Sequence, residues 1–197
     1  MKTNPLLAAV LIFYWVTGCA AADKSVLEIA PTLAELGNGW TTMETNHLID
    51  PLCQPSELVK EGHPSPEKLL KSLRDMMKST GRTGYLAMHY GYGDMVINRG
   101  GYRVSIQRWP SAEDVDKDPV QQAERVKRSP PNIGQEAYWT EGAMLHGLVF
   151  RRGQYRVVTE CGPKSDHDNL VRLAEVIDAK ISGKPIPQRP GPTPSQK

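Results

Sequence analysis

Phenylalanine is nearly missing from this chain, with Phe13 and Phe150 the only two among 197 residues. Seven tyrosines and four tryptophans must supply the aromatic bulk instead, and their hydroxyl and indole groups need partners when buried. Cysteine is scarce too, at three, with no Cys-x-x-Cys pair or adjacent histidine pair to suggest a zinc site. Neither sign of charge dominates: 24 basic and 22 acidic residues leave a net charge of +2. That field is too weak to argue for nucleic acid or an anionic membrane surface as a partner. No apolar run is long enough to cross a bilayer, the longest being the eleven residues Leu6 to Val16 against the ~20 a spanning helix needs.

Motifs of catalysis are absent as well. There is no Gly-x-Ser-x-Gly elbow, no His-Glu-x-x-His and no phosphate-cradling loop opening a helix. Tyr90-Gly91-Tyr92-Gly93-Asp94 carries two glycines, but between strand signals, where they read as a turn. Asp166-His167-Asp168 is the one dense group of metal-capable side chains. Its place at a helix start suits capping and the helix dipole better than coordination. His89 and His146 both fall in strand regions and could meet across the sheet, though a buried or edge histidine is the commoner case. No catalytic, metal or cofactor residue is assigned on this basis.

What is present starts at the N-terminus. Lys2, the apolar run and the small residues Thr17-Gly18 before Cys19 have the order of an export signal. Val16-Thr17-Gly18-Cys19 resembles the lipobox of bacterial lipoproteins. The resemblance implies cleavage after Gly18, removing residues 1–18, and acylation of Cys19, with palmitate among the chains. It also implies membrane attachment through that lipid, in the cell envelope. Ala20 rather than an aspartate after the cysteine resembles the pattern sorted to the outer membrane, facing the periplasm, in cells with two membranes. Several acyl chains on one residue anchor stably.

In an exported chain the remaining pair, Cys53 and Cys161, is expected to form a disulfide. Residues 19–38 read as lipid anchor and tether, 39–182 as one domain, and 183–197 as a disordered tail. The tail holds Pro185, Pro187, Pro190, Pro192 and Pro194, which forbid helix interiors and sheet ladders.

Within the domain the chain repeats itself. A shift of 53 residues superposes Arg99-Gly100 on Arg152-Gly153 and Tyr102-Arg103-Val104 on Tyr155-Arg156-Val157, with eight identities over positions 85–110. Each copy reads as a β-hairpin: Met95 to Ile106 turning at Gly100-Gly101, and Leu148 to Thr159 turning at Gly153-Gln154. Strand alternation puts Tyr102, Val104 and Ile106, like Tyr155 and Val157, on a buried face. Arg103 and Arg156 then share the opposite, wetter face, a possible binding surface for carboxylate, phosphate or a lipid headgroup.

Helices follow. Ser65-Pro66 opens one that ends near Gly81, Ser111 caps a short one broken at Asp118-Pro119, and Ser165-Asp166 opens the last. Antiparallel strands built from two similar hairpin units, with helices packed on them, make an α+β domain. The element order and the Gly-Tyr hairpins are similar to the Mog1/PsbP-like folds, which implies a binding or assembly-assisting role. The expected function is a non-catalytic envelope module that binds a protein or envelope ligand. The alternatives are an enzyme whose residues converge only in three dimensions, and a small-ligand sensor.

Overall fold

A computed structural model describes residues 23–93, 101–117, 131–142, 145–162 and 165–188. Its centre is a seven-stranded sheet in the order β2-β1-β3-β4-β7-β6-β5, every neighbouring pair antiparallel. The strands are β1 (Trp40–Ile49), β2 (Glu57–Val59), β3 (Gly84–Tyr92), β4 (Tyr102–Arg108), β5 (Glu136–Glu141), β6 (His146–Arg152) and β7 (Tyr155–Cys161). Helices α1 (Leu33–Leu36), α2 (Pro66–Thr80), α3 (Ala112–Asp116) and α4 (His167–Ser182) complete the α+β domain. The described residues contain no helix long and apolar enough to cross a membrane.

The first sheet face carries the main core. Leu86, Tyr90, Tyr102, Val104, Ile106, Leu148, Phe150 and Val157 pack against Leu170, Leu173, Ala174, Val176 and Ile177 of α4. Those α4 positions recur at helical spacing, so one stripe of the helix meets the sheet. The core tyrosine hydroxyls find partners, whereas the buried Trp40 indole nitrogen has none among the described residues. The Tyr90 hydroxyl donates to Pro31 O (2.9 Å), and the Tyr102 hydroxyl to Asp166 O (3.3 Å).

One helix cannot cover seven strands, and the N-terminal segment closes the gap. Val26 and Ile29 are fully buried and Leu36 is 1% exposed. The tether expected over 19–38 is therefore corrected: the folded body begins by Lys24. Glu28 and Ser25 cap each other there, Ser25 N donating to the Glu28 carboxylate (2.7 Å) and Glu28 N to Ser25 Oγ (3.1 Å). The other boundary shifts too. Ile186 packs on the core and Pro187 O accepts from Arg172, so the body extends past residue 182. The rest of the proline tail, residues 189–197, lies outside the described residues, as does the whole signal segment.

The second face is partly roofed. Leu73 and Met77 of α2 pack on Ile49 and Tyr85. The helix opens with Pro66 in its first turn and closes at Gly81, whose φ of 69° suits glycine. Beside it, Trp109 is 1% exposed and lies under the guanidinium groups of Arg82 and Arg156, each 5.1 Å from the ring centroid.

The hairpin at Gly153-Gln154 forms as expected, with Arg152 opposite Tyr155 and Gly153 at φ 54°. The first hairpin is different. β4 pairs with β3, Tyr90 facing Tyr102, so the outgoing strand is Gly84–Tyr92. The strand expected at Met95–Arg99 lies outside the described residues. β4 and β7, the best-matched parts of the repeat, are adjacent and antiparallel. Tyr102 and Tyr155 are 0% and 6% exposed, on the same face.

The disulfide is not formed: Cys53 and Cys161 are separate buried thiols. The reason is topological. Cys53 N donates to Asp50 O, and the Asp50 carboxylate pairs with Arg108 at the end of β4. Cys161 lies one step beyond the pair Glu160–Arg103, at the start of β4. The strand between spans about 20 Å, and a disulfide tolerates a Cα separation of no more than about 7 Å.

Candidate functional site

On the second face, beyond the edge of α2, a row of side chains crosses four strands. Glu44 of β1 faces His89 of β3, His89 faces Arg103 of β4, and Arg103 faces Glu160 of β7. The next row toward α2 holds His47, Ala87, Ser105 and Val158. His47 stacks on Tyr85 with centroids 5.4 Å apart and planes inclined by 20°.

The register of β1 against β3 shifts between Thr45 and His47. This leaves Asn46 as the extra residue of a bulge, a device that re-aims a side chain. Asn46 Nδ2 donates to His89 Nε2 at 3.1 Å. A neutral His89 then carries its proton on Nδ1. Lys60 reaches back to Glu44 at 2.7 Å, and Lys60 N donates to Asn46 O, tying the end of β2 to the bulge. An open groove of about 680 Å³, lined by Glu44, Thr45, Leu58, Val59, Lys60, Glu61 and Gly62, runs beside this row.

Both histidines are held below the ordinary imidazole pKa. Burial is the first cause in each, and the Arg103 charge the second. His63 and His89 push His47 further down, while Glu44 works against the shift at His89. At neutral pH the rings are uncharged, and the positive charge of the group belongs to Arg103.

Arg103 differs from the other described arginines of β4, β6 and β7. Arg108 pairs with Asp50 at 2.8 Å, Arg151 pairs with Asp116, and Arg152 grips Asp178 through two bonds of 2.6 and 2.7 Å. Arg156 is 5% exposed and donates to Val115 O at 3.0 Å, so it is not available as a binding group. The paired surface expected of Arg103 and Arg156 is thus corrected. Both leave the same sheet face, but α3 and Trp109 cover Arg156. Arg103 alone is exposed, and its guanidinium makes no ion pair or hydrogen bond with any described residue.

The other histidine group sits elsewhere. His146 faces Cys161 across β6 and β7 on the first face, with the His167 ring 5.1 Å away and Trp139 packed on His167. His89 and His146 therefore lie on opposite faces and do not meet. Burial raises the Cys161 thiol to about 11, with the Asp166 charge adding to it. That thiol is a poor nucleophile near neutral pH. Asp166 caps α4, its carboxylate accepting from Asp168 N at 2.9 Å. No group of three or more metal-capable side chains converges among the described residues. Cys19 lies outside them.

The alternation of β4 exposed Arg103 to sequence reading, but His47, Asn46 and Tyr85 were not singled out. The bulge at Asn46 and the pairing of β1 with β3 carry no local signature.

No family model matches the chain, and no curated protein matches it. Among solved structures, the extracellular domain of PknH from Mycobacterium tuberculosis matches at 12% identity and a TM-score of 0.41. The match covers 79% of this chain and 94% of that one. At this level the likeness carries no weight for function.

Proposed function

We propose that this protein is a lipid-anchored, non-catalytic binding domain of the bacterial envelope, attached through Cys19. It takes an anionic group of its ligand or partner on the sheet face around Arg103. The observation that carries the reading is the exposed Arg103 guanidinium, unpaired among the described residues, on a face where Arg151 and Arg156 are engaged. His47 and His89, neutral at pH 7, flank it and can donate hydrogen bonds without adding charge. A guanidinium offers the forked geometry that carboxylate and phosphate accept. The resemblance of Val16-Thr17-Gly18-Cys19 to a lipobox supports the anchor and the envelope location.

The test uses inorganic phosphate and acetate as probes, followed by the ring resonances of His47 and His89. Either anion is expected to shift both rings in the native protein and neither ring in Arg103→Ala. Equal shifts in the variant, or no response in the native protein, would remove Arg103 from the binding surface.

A further inference from the structure

We infer that the end of the domain carrying Lys24, Leu27 and Leu52 rests on the lipid surface that holds the acylated Cys19. The inference depends on the lipid anchor proposed above and adds an orientation to it. From Cys19 to Asp23 the chain can span at most about 14 Å. At Lys24 it is already clamped: Lys24 O accepts from Tyr155 Oη (2.6 Å) and from Arg108 Nη1 (3.2 Å), and Lys24 Nζ donates to Lys180 O. A lipid on Cys19 thus holds one particular end of the sheet close to the bilayer.

That end consists of the β1–β2 loop, the start of β3, the end of β4 and the Gly153-Gln154 turn. Four large apolar side chains are exposed among the described residues. Leu27 (41%) and Leu52 (50%) lie here, whereas Met43 (44%) and Leu145 (36%) lie at the opposite end of their strands. Leu27 and Leu52 are not on loose loops. The Asp50 carboxylate accepts from Val26 N through one oxygen (2.8 Å) and from Leu52 N through the other (2.9 Å). One buried group therefore sets two exposed leucines on adjoining turns, beside the point where the chain leaves for Cys19. Lys78 occupies the last turn of α2 at this end, and Lys24 Nζ donates to Lys180 O in the last turn of α4, so a cation offsets each negative helix terminus that would face the headgroups. An apolar pair within reach of the acyl chains gives the second attachment that lipid anchors commonly use.

The experiment uses the full lipoprotein purified from its membrane and reconstituted in phosphatidylglycerol–phosphatidylcholine vesicles with brominated acyl chains. Leu52→Trp and Met43→Trp each add one exposed indole to the three buried tryptophans of the domain, Trp40, Trp109 and Trp139. The indole at position 52 is expected to lose roughly half its added emission to the brominated chains, and the indole at position 43 none. Leu27→Trp should respond like Leu52→Trp. Equal quenching at 52 and 43, or none at 52, would overturn the orientation. Shielding of position 52 from both brominated lipid and aqueous acrylamide would mean that a protein covers this end, and would overturn it too. Intact mass is read on the same sample. A Cys19 without lipid refutes the anchor, and the orientation with it, whereas lipid on Cys19 with no quenching refutes the orientation alone.

Discussion

The Asp50 carboxylate holds three pieces of chain at once, through Val26 N, Leu52 N and Arg108 Nη2, and is fully buried while doing so. Arg108 extends the network to Lys24 O and Thr83 O, so the N-terminal segment, the β1–β2 loop, β3 and β4 share one ion pair. Removing one partner leaves the other charge buried and uncompensated. Asp50→Ala is expected to lower unfolding free energy by about 3–5 kcal/mol, measured by urea denaturation. Asp50→Asn should fall in the same direction, because the amide keeps the size and loses the charge. The three residues of the Tyr-Arg-Val strands separate in the same assay. Tyr102→Ala should cost about 3–5 kcal/mol, by analogy with buried Phe truncations. Arg103→Ala should stay within about 0.5 kcal/mol, as exposed substitutions do. Arg156→Ala should cost about 1–3 kcal/mol, since it removes a buried donor to Val115 O and one of the two guanidinium groups over Trp109. Equal costs at Arg103 and Arg156 would contradict their different burial.

At the level of elements, signals that act within one segment were readable and signals between segments were not. The Pro66 start and Gly81 end of α2, the Ser111 cap of α3 and the Gly153 turn depend on neighbouring residues, and each forms where the sequence places it. At the Ser165-Asp166 start of α4 the cap is Asp166, whose carboxylate accepts from Asp168 N. The first hairpin was misplaced because Met95-Val96-Ile97 has strand composition, whereas the partner of β4 is fixed by the core face of β3. The Asn46–His89 contact links residues 43 apart and needs both the bulge and the strand order. Nothing local encodes it. The cysteines teach the same lesson, since compartment and count favoured a bridge that strand register forbids. Alkylation without reductant, followed by mass analysis, should find Cys53 and Cys161 as free thiols. In the native protein both should react slowly, because burial raises both thiols. A linked peptide containing both cysteines would overturn the register of β4 against β7 or the placement of the Asp50 loop.

For the molecule as a whole, the buried titratable groups predict stability that peaks between mildly acidic and mildly alkaline pH. His47 and His89 have folded pKa values below the ordinary 6.5, so near and below pH 6.5 the unfolded chain binds more protons than the folded one. Stability therefore falls as pH drops through 6.5 toward the folded values, and flattens below them. Glu35 and Glu57 are shifted down from 4.5, and they add a further loss only below that pH. The interval from about 5 to 6.5 thus isolates the histidines. On the alkaline side Cys161 is raised to about 11 from 9.0, with Tyr102 and Tyr155 raised from 10.0. The unfolded chain loses these protons first, so stability falls as pH rises above about 9. Urea midpoints measured across this range should show both flanks. The double variant His47→Gln, His89→Gln should lose the slope between pH 5 and 6.5 while keeping the alkaline flank. An unchanged acid slope in that variant would mean that the rings titrate normally in the folded protein. The lowered histidine pKa values beside Arg103 would then be ruled out, and the rings flanking the anion-binding surface would carry partial charge at pH 7.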